Sequence, residues 1–172
     1  MKPSLTRLLL ATLLLPGLAS ANTIDFDGEL LTSTCTIAAA TKIDVKFGKL
    51  DVADLSAAGK EAGRSAMPIT LECPGTTPTG TVAVRFESLT LGDSVTGNLR
   101  TTAASSATNV QIAIDNAAGT RQVINGLATA DSFVPIKTGA VVLDYTAVYV
   151  AVGGPAGAGT AKSNATFVVA YP

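Results

Sequence analysis

Hydrophobic and polar residues alternate along most of the chain after its first 21 residues, and this alternation predicts β-strands. A period of two places one side of a strand on a core and the other side toward water. Six runs show this period, and their apolar positions are Ile43, Val45, Phe47; Met67, Ile69, Leu71, Cys73; Val82, Val84, Phe86; Val110, Ile112, Ile114; Val141, Leu143, Tyr145, Ala147, Tyr149; and Phe167, Val169, Tyr171. The pattern predicts an all-β protein.

Turn-forming residues separate these runs, as at Pro74-Gly75 and Gly97-Asn98. Several short strands divided by turns, without a strong helical period, predict an antiparallel β-sandwich in one domain. The Ala-rich segment 51–64 is the main exception. Its two glycines limit it to a loop with one helical turn. The Gly-rich stretch 153–160 is predicted to be a flexible loop before the last strand.

The N-terminus has the pattern of a secretory signal peptide. Lys2 and Arg7 are its basic residues, and an apolar run of eight residues follows that is too short to span a bilayer. Ala19 and Ala21 occupy the small-residue positions of a cleavage site. We therefore expect residues 1–21 to be removed, which leaves a mature chain of 151 residues. The alternative is an uncleaved anchor.

The predicted export favours a disulfide between the two cysteines, because an exported chain meets an oxidising compartment. An even count of two predicts one disulfide, Cys35–Cys73, which spans 38 positions. Two thiols without any histidine cannot complete a typical zinc shell. No Cys-x-x-Cys is present, which argues against a redox dithiol. We therefore expect a structural disulfide and no metal or other cofactor.

Composition argues against an enzyme. The chain has no histidine, so the usual general base is absent and a Ser-His-Asp or Cys-His arrangement cannot be built. Phosphate-cradling glycine motifs are also missing. Paired carboxylates stay open as a possibility, although scattered acids are typical of a solvated surface. The mature chain has 10 basic and 13 acidic residues, and a net charge of −3 does not favour nucleic acid. No small-molecule substrate is expected.

Both ends of the mature chain carry an apolar stripe. In the first segment, one face holds Ile24, Phe26, Gly28, Leu30 and Thr32, and the other holds Asp25, Asp27 and Glu29. Gly28 in mid-stripe permits a close backbone approach or a shallow pocket. The alternative is an ordinary first strand with a bulge. The last strand runs to the final residue, which suggests that the terminus is held by something. The alternative there is a C-terminal core strand.

With the export signal and the cysteine spacing, these ends resemble the type 1 pilin family of fimbrial subunits, which the chaperone–usher pathway assembles. The family pattern hydrophobic-x-aromatic-x-Gly-x-hydrophobic, followed by a cysteine, matches Ile24, Phe26, Gly28, Leu30 and Cys35. The later family features match Cys73 at the end of a strand, the Tyr145–Tyr149 stretch, Gly159 fourteen residues from the C-terminus, and the penultimate Tyr171. The resemblance covers the whole mature chain.

The resemblance implies an incomplete immunoglobulin-like β-sandwich that has six strands of its own. A chaperone or a neighbouring subunit supplies the seventh. The implied organisation is a signal peptide at 1–21, a donor-strand extension at 22–34 and a pilin domain at 35–172. The donor residues would be Ile24, Phe26, Gly28, Leu30 and Thr32. The groove or chaperone contacts would be Phe167, Val169, Tyr171 and Gly159.

The resemblance also implies partners and a location. The partners would be other pilin subunits, a periplasmic chaperone and an outer-membrane usher. The product would be a fimbrium on the cell surface, reached through the periplasm, that contributes to cell adhesion. One alternative is a minor or tip-proximal adhesin-type or adaptor subunit that binds a surface receptor. Others are a chain terminator and a stand-alone secreted sandwich that uses residues 23–33 as its own strand.

Overall fold

The computed structural model describes residues 35–38, 42–75 and 79–172, which fold into two β-sheets around a shared core. The strands are β1 (Thr36–Ile37), β2 (Glu61–Cys73), β3 (Thr81–Glu87), β4 (Leu99–Arg100), β5 (Val110–Asn116), β6 (Arg121–Gln122), β7 (Val134–Pro135), β8 (Gly139–Ala151) and β9 (Thr166–Ala170). Two short 3-10 helices cover Val52–Leu55 and Ala130–Ser132. The prediction of an all-β sandwich is confirmed. Over the described residues, no helix has the length and apolar character needed to cross a membrane.

All strand pairs are antiparallel. The large sheet has the order β1-β2-β8-β5-β4, with β6 also paired to β5, and the small sheet has the order β7-β3-β9. The strand β8 lies between β2 and β5, where Leu143 faces Ile69 and Ala147 faces Ile114. Every predicted apolar run therefore has its inward side on one core.

A buried tyrosine ties the two sheets together. The Tyr145 hydroxyl on β8 accepts a hydrogen bond from the Val84 N–H at 3.4 Å and donates to the Val84 carbonyl at 3.3 Å. Its ring meets Phe86 edge-on, with 5.0 Å between the ring centroids. Burial raises the pKa of the Tyr145 phenol. These contacts hold the small sheet against the centre of the large one.

The first strand of the sandwich is interrupted, which corrects the prediction of a regular strand at Ile43–Phe47. Of the described residues in this stretch, Thr36 and Ile37 are the ones in strand pairing with β2, opposite Glu72 and Leu71. Residues 42–50 have no strand pairing, although exposure still alternates along residues 42–48. The interrupted strand and the five strands of five or more residues (β2, β3, β5, β8 and β9) make the six expected strands. The short strands β4, β6 and β7 are additional.

The segment 51–64 contains the expected helical turn but is shorter as a loop than predicted. The Asp51 carboxylate accepts a hydrogen bond from the Ala53 N–H at 2.9 Å and caps the first 3-10 helix. The last four residues of the segment already belong to β2. A register shift between Ala62 and Ser65 absorbs Gly63, whose φ of 71° suits a bulge. The glycine thus bends the strand without ending it.

Candidate strand-binding groove

An open groove runs between two chain segments, which we name the N-terminal rim (residues 42–48) and the C-terminal rim (residues 161–171). Within the described residues, the N-terminal rim has no strand partner, and β9 of the C-terminal rim pairs on one side only, with β3. Both rims turn half-buried apolar side chains inward, among them Phe47 and Phe167. The groove is therefore bordered by backbone with unused pairing capacity.

The floor of the groove is apolar and comes from both sheets. A cavity of about 590 Å³ lies between the rims. Its deepest lining residues are Met67, Ile69, Phe86, Leu99, Ile112 and Ala147. An apolar floor between two unpaired backbone edges suits an added β-strand with apolar side chains at alternate positions.

A second cavity of about 660 Å³ adjoins the first and shares Tyr149 and Ala161 with it. Its other walls include the small residues Ala107, Ala156 and Ala158. Tyr149 separates the two spaces: its ring stacks on Phe47 with centroids 4.1 Å apart, and its hydroxyl donates to the Ala161 carbonyl at 3.2 Å. Burial raises the pKa of the Tyr149 phenol.

Gly159 lies in the wall of the second cavity, where the loop 153–160 packs against the backbone of Ser106 and Ala107. A Cβ at Gly159 would lie 2.6 Å from the Ser106 carbonyl carbon and closer still to the Ala107 nitrogen. The Thr160 carbonyl accepts hydrogen bonds from the N–H groups of Ser106 and Ala107, at 2.9 and 3.0 Å respectively. Only glycine fits this approach. The predicted role of Gly159 in chaperone contact stays a prediction.

The C-terminal end of β9 is fastened to the disulfide. The Cys35 N–H donates to the Tyr171 hydroxyl oxygen at 2.6 Å, and Cys35 is joined to Cys73 with an S–S distance of 2.02 Å. The predicted disulfide is therefore formed. The N-terminal segment consequently joins the domain beside the end of the C-terminal rim.

The predicted site residues divide into two groups. Phe167 and Val169 pack against the core from β9 and are half-buried, and the Tyr171 hydroxyl is hydrogen-bonded to Cys35. Their predicted role in groove or chaperone contact stays a prediction. Two other predictions fall outside the described residues. These are the donor residues Ile24, Phe26, Gly28, Leu30 and Thr32, and the cleavage residues Ala19 and Ala21.

Charged side chains border the groove on its outer side. On the N-terminal rim Lys42, Asp44 and Lys46 are exposed, and Lys162 is exposed on the C-terminal rim. The Lys42 ammonium lies 2.7 Å from an Asp44 carboxylate oxygen. Hydrogen bonding to Lys42 lowers the pKa of Asp44. Exposed and half-buried residues therefore alternate along residues 42–48 of the N-terminal rim and 161–167 of the C-terminal rim.

Sequence reasoning missed a buried acid on the opposite face of the large sheet. Asp115 on β5 has a side chain that is 4% exposed and pairs with Arg64 at 2.8 Å and Arg121 at 2.6 Å. Glu61 pairs with the same two arginines. The position of Asp115 directly after the buried residues Ala113 and Ile114 of β5 was the available signal. Arg121 faces it across the β5–β6 hairpin, whereas Arg64 lies 51 positions away in the sequence and could not be identified from spacing.

Three comparisons place this architecture among known proteins. Residues 24–172 match the family described as "Fimbrial protein". The F17 fimbrial protein of Escherichia coli is 35% identical over 161 residues, which cover 90% of this chain and 89% of that protein. The fimbrial subunit type 1 of Klebsiella pneumoniae is 31% identical over 155 residues, with 88% and 84% covered. The crystal structure of the P pilus rod subunit PapA matches with a TM-score of 0.63 and 26% identity, over 80% of this chain and 99% of PapA.

Proposed function

This chain belongs to the fimbrial protein family, and we propose that it polymerises head-to-tail by donor-strand exchange. Like its relatives, it is a structural fimbrial subunit. In the proposed mechanism, residues 22–34 of one copy enter the groove of the next copy. The observation that carries the proposal is the apolar groove between two rims whose facing edges lack a strand partner in the part of the chain that the structure describes.

Strand addition explains how such a joint gains free energy. Main-chain pairing gives affinity and pockets for alternate side chains give specificity, and chaperone–pilin complexes are a familiar example. Ile24, Phe26 and Leu30 would fill the groove, and Gly28 would lie where the floor is shallow. Burying these three apolar side chains contributes roughly 5–9 kcal/mol before the cost of ordering the segment is subtracted. A joint of this strength opens slowly.

The contact joins two different surfaces of the same chain, so it is heterologous. Unless such contacts close into a ring, they extend into a filament. Before assembly, an open apolar groove is an aggregation hazard. We propose that a periplasmic chaperone covers the groove through Phe167, Val169, Tyr171 and Gly159 after the signal peptide 1–21 has been removed. An outer-membrane usher then exchanges the chaperone strand for the donor strand.

Deletion of residues 22–32 tests the proposal in cells that assemble the wild-type fimbria. The wild-type subunit should give a ladder in SDS that collapses only on boiling. The deleted subunit should migrate as a monomer, because it can receive a strand but cannot donate one. The mass of the exported chain confirms that cleavage still occurs. A normal ladder from the deleted subunit would contradict donor-strand exchange.

A point substitution separates the groove contact from the mere presence of the segment. Gly28→Arg should abolish the ladder, because the added side chain overfills the shallow part of the floor. Thr23→Arg is the matched control, since position 23 lies on the outward face of the same strand and should leave the ladder intact. Equal ladders from both variants would sink the assignment of Gly28.

A further inference from the structure

The negative charge of the mature chain is concentrated in the proposed donor segment. Residues 22–34 contain Asp25, Asp27 and Glu29 and no basic residue. The remaining residues 35–172 hold 10 acidic and 10 basic residues, so that part is neutral. The three acids stand at alternate positions and therefore share the face opposite the apolar stripe. An inserted donor strand would carry all three charges on its outward side.

Lysines without an ion pair lie beside the groove that receives this strand. Lys46 is on the N-terminal rim, Lys49 lies just beyond it, and Lys162 is on the C-terminal rim. Lys49 and Lys162 line the cavities. All three are exposed, and among the described residues none forms an ion pair. The groove thus has cations on both sides.

The acids near the groove balance these cations only in part. The Asp44 carboxylate pairs with Lys42, so the two charges offset each other. Asp51 lines the second cavity, and its carboxylate caps the neighbouring 3-10 helix at Ala53. Among the residues that line the two cavities, Lys42, Lys49 and Lys162 outnumber Asp44 and Asp51, and Lys46 adds a further exposed cation on the N-terminal rim. The local charge is positive although the domain as a whole is neutral.

We propose that Lys46, Lys49 and Lys162 form a cationic border that recognises the acidic face of the donor strand of a second copy. This inference rests on the proposed function. An inserted strand lies between the rims, so its outward side chains become cross-strand neighbours of the outward side chains of the rims. Opposite charges attract there and like charges repel. A donor strand without the acids would lose this attraction.

The cationic border should affect the rate at which a donor strand is captured and the choice of partner more than the stability of the finished joint. Exposed ion pairs add little to stability, whereas complementary potentials speed encounter and reject partners of the wrong charge. Salt screens such contacts, with a Debye length of about 10 Å at 0.1 M and about 3 Å at 1 M. The rate of strand capture should therefore fall as salt rises, while the SDS resistance of formed joints stays the same.

Two fluorescent peptides test the proposal on the purified mature subunit. One has the sequence of residues 22–33, and the other carries Asp25→Asn, Asp27→Asn and Glu29→Gln. Fluorescence anisotropy measures their association rates at about 20 mM and about 1 M salt. The acidic peptide should associate about 10-fold faster than the neutral peptide at low salt, and the difference should vanish at high salt. Equal rates at low salt would overturn the cationic border.

A matched pair of subunit variants locates the effect. Lys49→Gln with Lys162→Gln should remove most of the rate advantage of the acidic peptide. Lys60→Gln with Lys137→Gln removes the same charge from exposed positions that line neither cavity, and it should keep the advantage. Equal losses in both variants would attribute the effect to net charge and overturn the border. If neither peptide associates with the wild-type subunit, the groove does not receive a strand and the proposed function itself fails.

Discussion

The strands β8 and β9 both carry large apolar residues at every second position, yet the structure uses them differently. β8 is paired along both edges, to β2 and β5, and its Leu143 is 2% exposed. Within the described residues β9 is paired only to β3, and its inward residues stay half-buried. Alternation therefore reports which face of a strand is buried, and it does not report whether both edges have partners. Paired edges and enclosed side chains are concentrated around β8, whereas one edge of β9 lacks a strand partner within the described residues.

Removing the disulfide should have the largest effect on stability. Cys35→Ala with Cys73→Ala frees a closed loop of 38 positions and should lower the free energy of unfolding by about 4 kcal/mol. Urea denaturation of the purified subunit measures the change. Amides of β9 should gain more hydrogen exchange than those of β8, because Cys35 holds Tyr171 at the end of β9. If the amides of β8 gained more hydrogen exchange than those of β9, the expected difference in stability between the two strands would be contradicted.

The next largest effect is expected from side-chain truncations, one on β8 and one on β9, which compare the two strands directly. Leu143→Ala on β8 should cost about 3 kcal/mol in the isolated subunit, because the site is fully enclosed and a cavity remains. Phe167→Ala on β9 removes more atoms but should cost less than about 2 kcal/mol, because the ring is only half-buried. Urea denaturation measures both variants.

In the filament, the ranking of these two variants by loss of stability should reverse. A donated strand would cover Phe167, so Phe167→Ala should lower the temperature at which the ladder dissociates in SDS more than Leu143→Ala does. If Phe167→Ala destabilises the lone subunit more than Leu143→Ala, β9 is already enclosed in the monomer. The contrast between the two strands would then be wrong.

The smallest effect concerns the Tyr171 hydroxyl just after β9, which accepts a hydrogen bond from the Cys35 N–H and donates a longer one to the Cys35 carbonyl at 3.5 Å. Tyr171→Phe removes the hydroxyl that accepts the Cys35 N–H at 2.6 Å, and it should cost about 1 kcal/mol in the isolated subunit. Urea denaturation and the hydrogen exchange of the Cys35 amide measure it. The ladder should still form, since the ring stays in place. No change in exchange at Cys35 would show that the contact is not maintained in solution.

The sequence was sufficient for features that depend on local pattern and was insufficient for those that depend on partners. Export and cysteine parity predicted the Cys35–Cys73 bridge, and alternation located the inward faces of the long strands. Alternation also located Ile43 and Phe47, but it could not show that their backbone has no neighbour within the described residues. Such a strand looks ordinary in sequence when its partner is supplied by another molecule.

At two further positions, Gly63 and Asp115, the structure differs from what the sequence predicted, and the causes are partly local and partly non-local. Gly63 indicated a loop, but a bulge lets β2 begin at Glu61. Asp115 was expected to be solvated with the other acids, but Arg64 and Arg121 meet it from β2 and β6. The bulge could be suspected from the glycine itself. Arg121 could also be suspected, because it faces Asp115 across the β5–β6 hairpin, but Arg64 could not, because strand order decides which residues of distant segments meet across a sheet.

The link between Cys35 and Tyr171 has a mechanical consequence. In a filament joined by strand donation, tension leaves each domain through Cys35, where the N-terminal segment departs. Within the described residues, β1 holds this point through two residues paired with β2. So short a pairing would separate easily under load. The disulfide transfers the pull to Cys73, at the end of a strand that is registered with β8 from Glu61 to Cys73. The force then acts on a long ladder and a covalent bond, so a pulled filament should yield at its joints before its domains unfold.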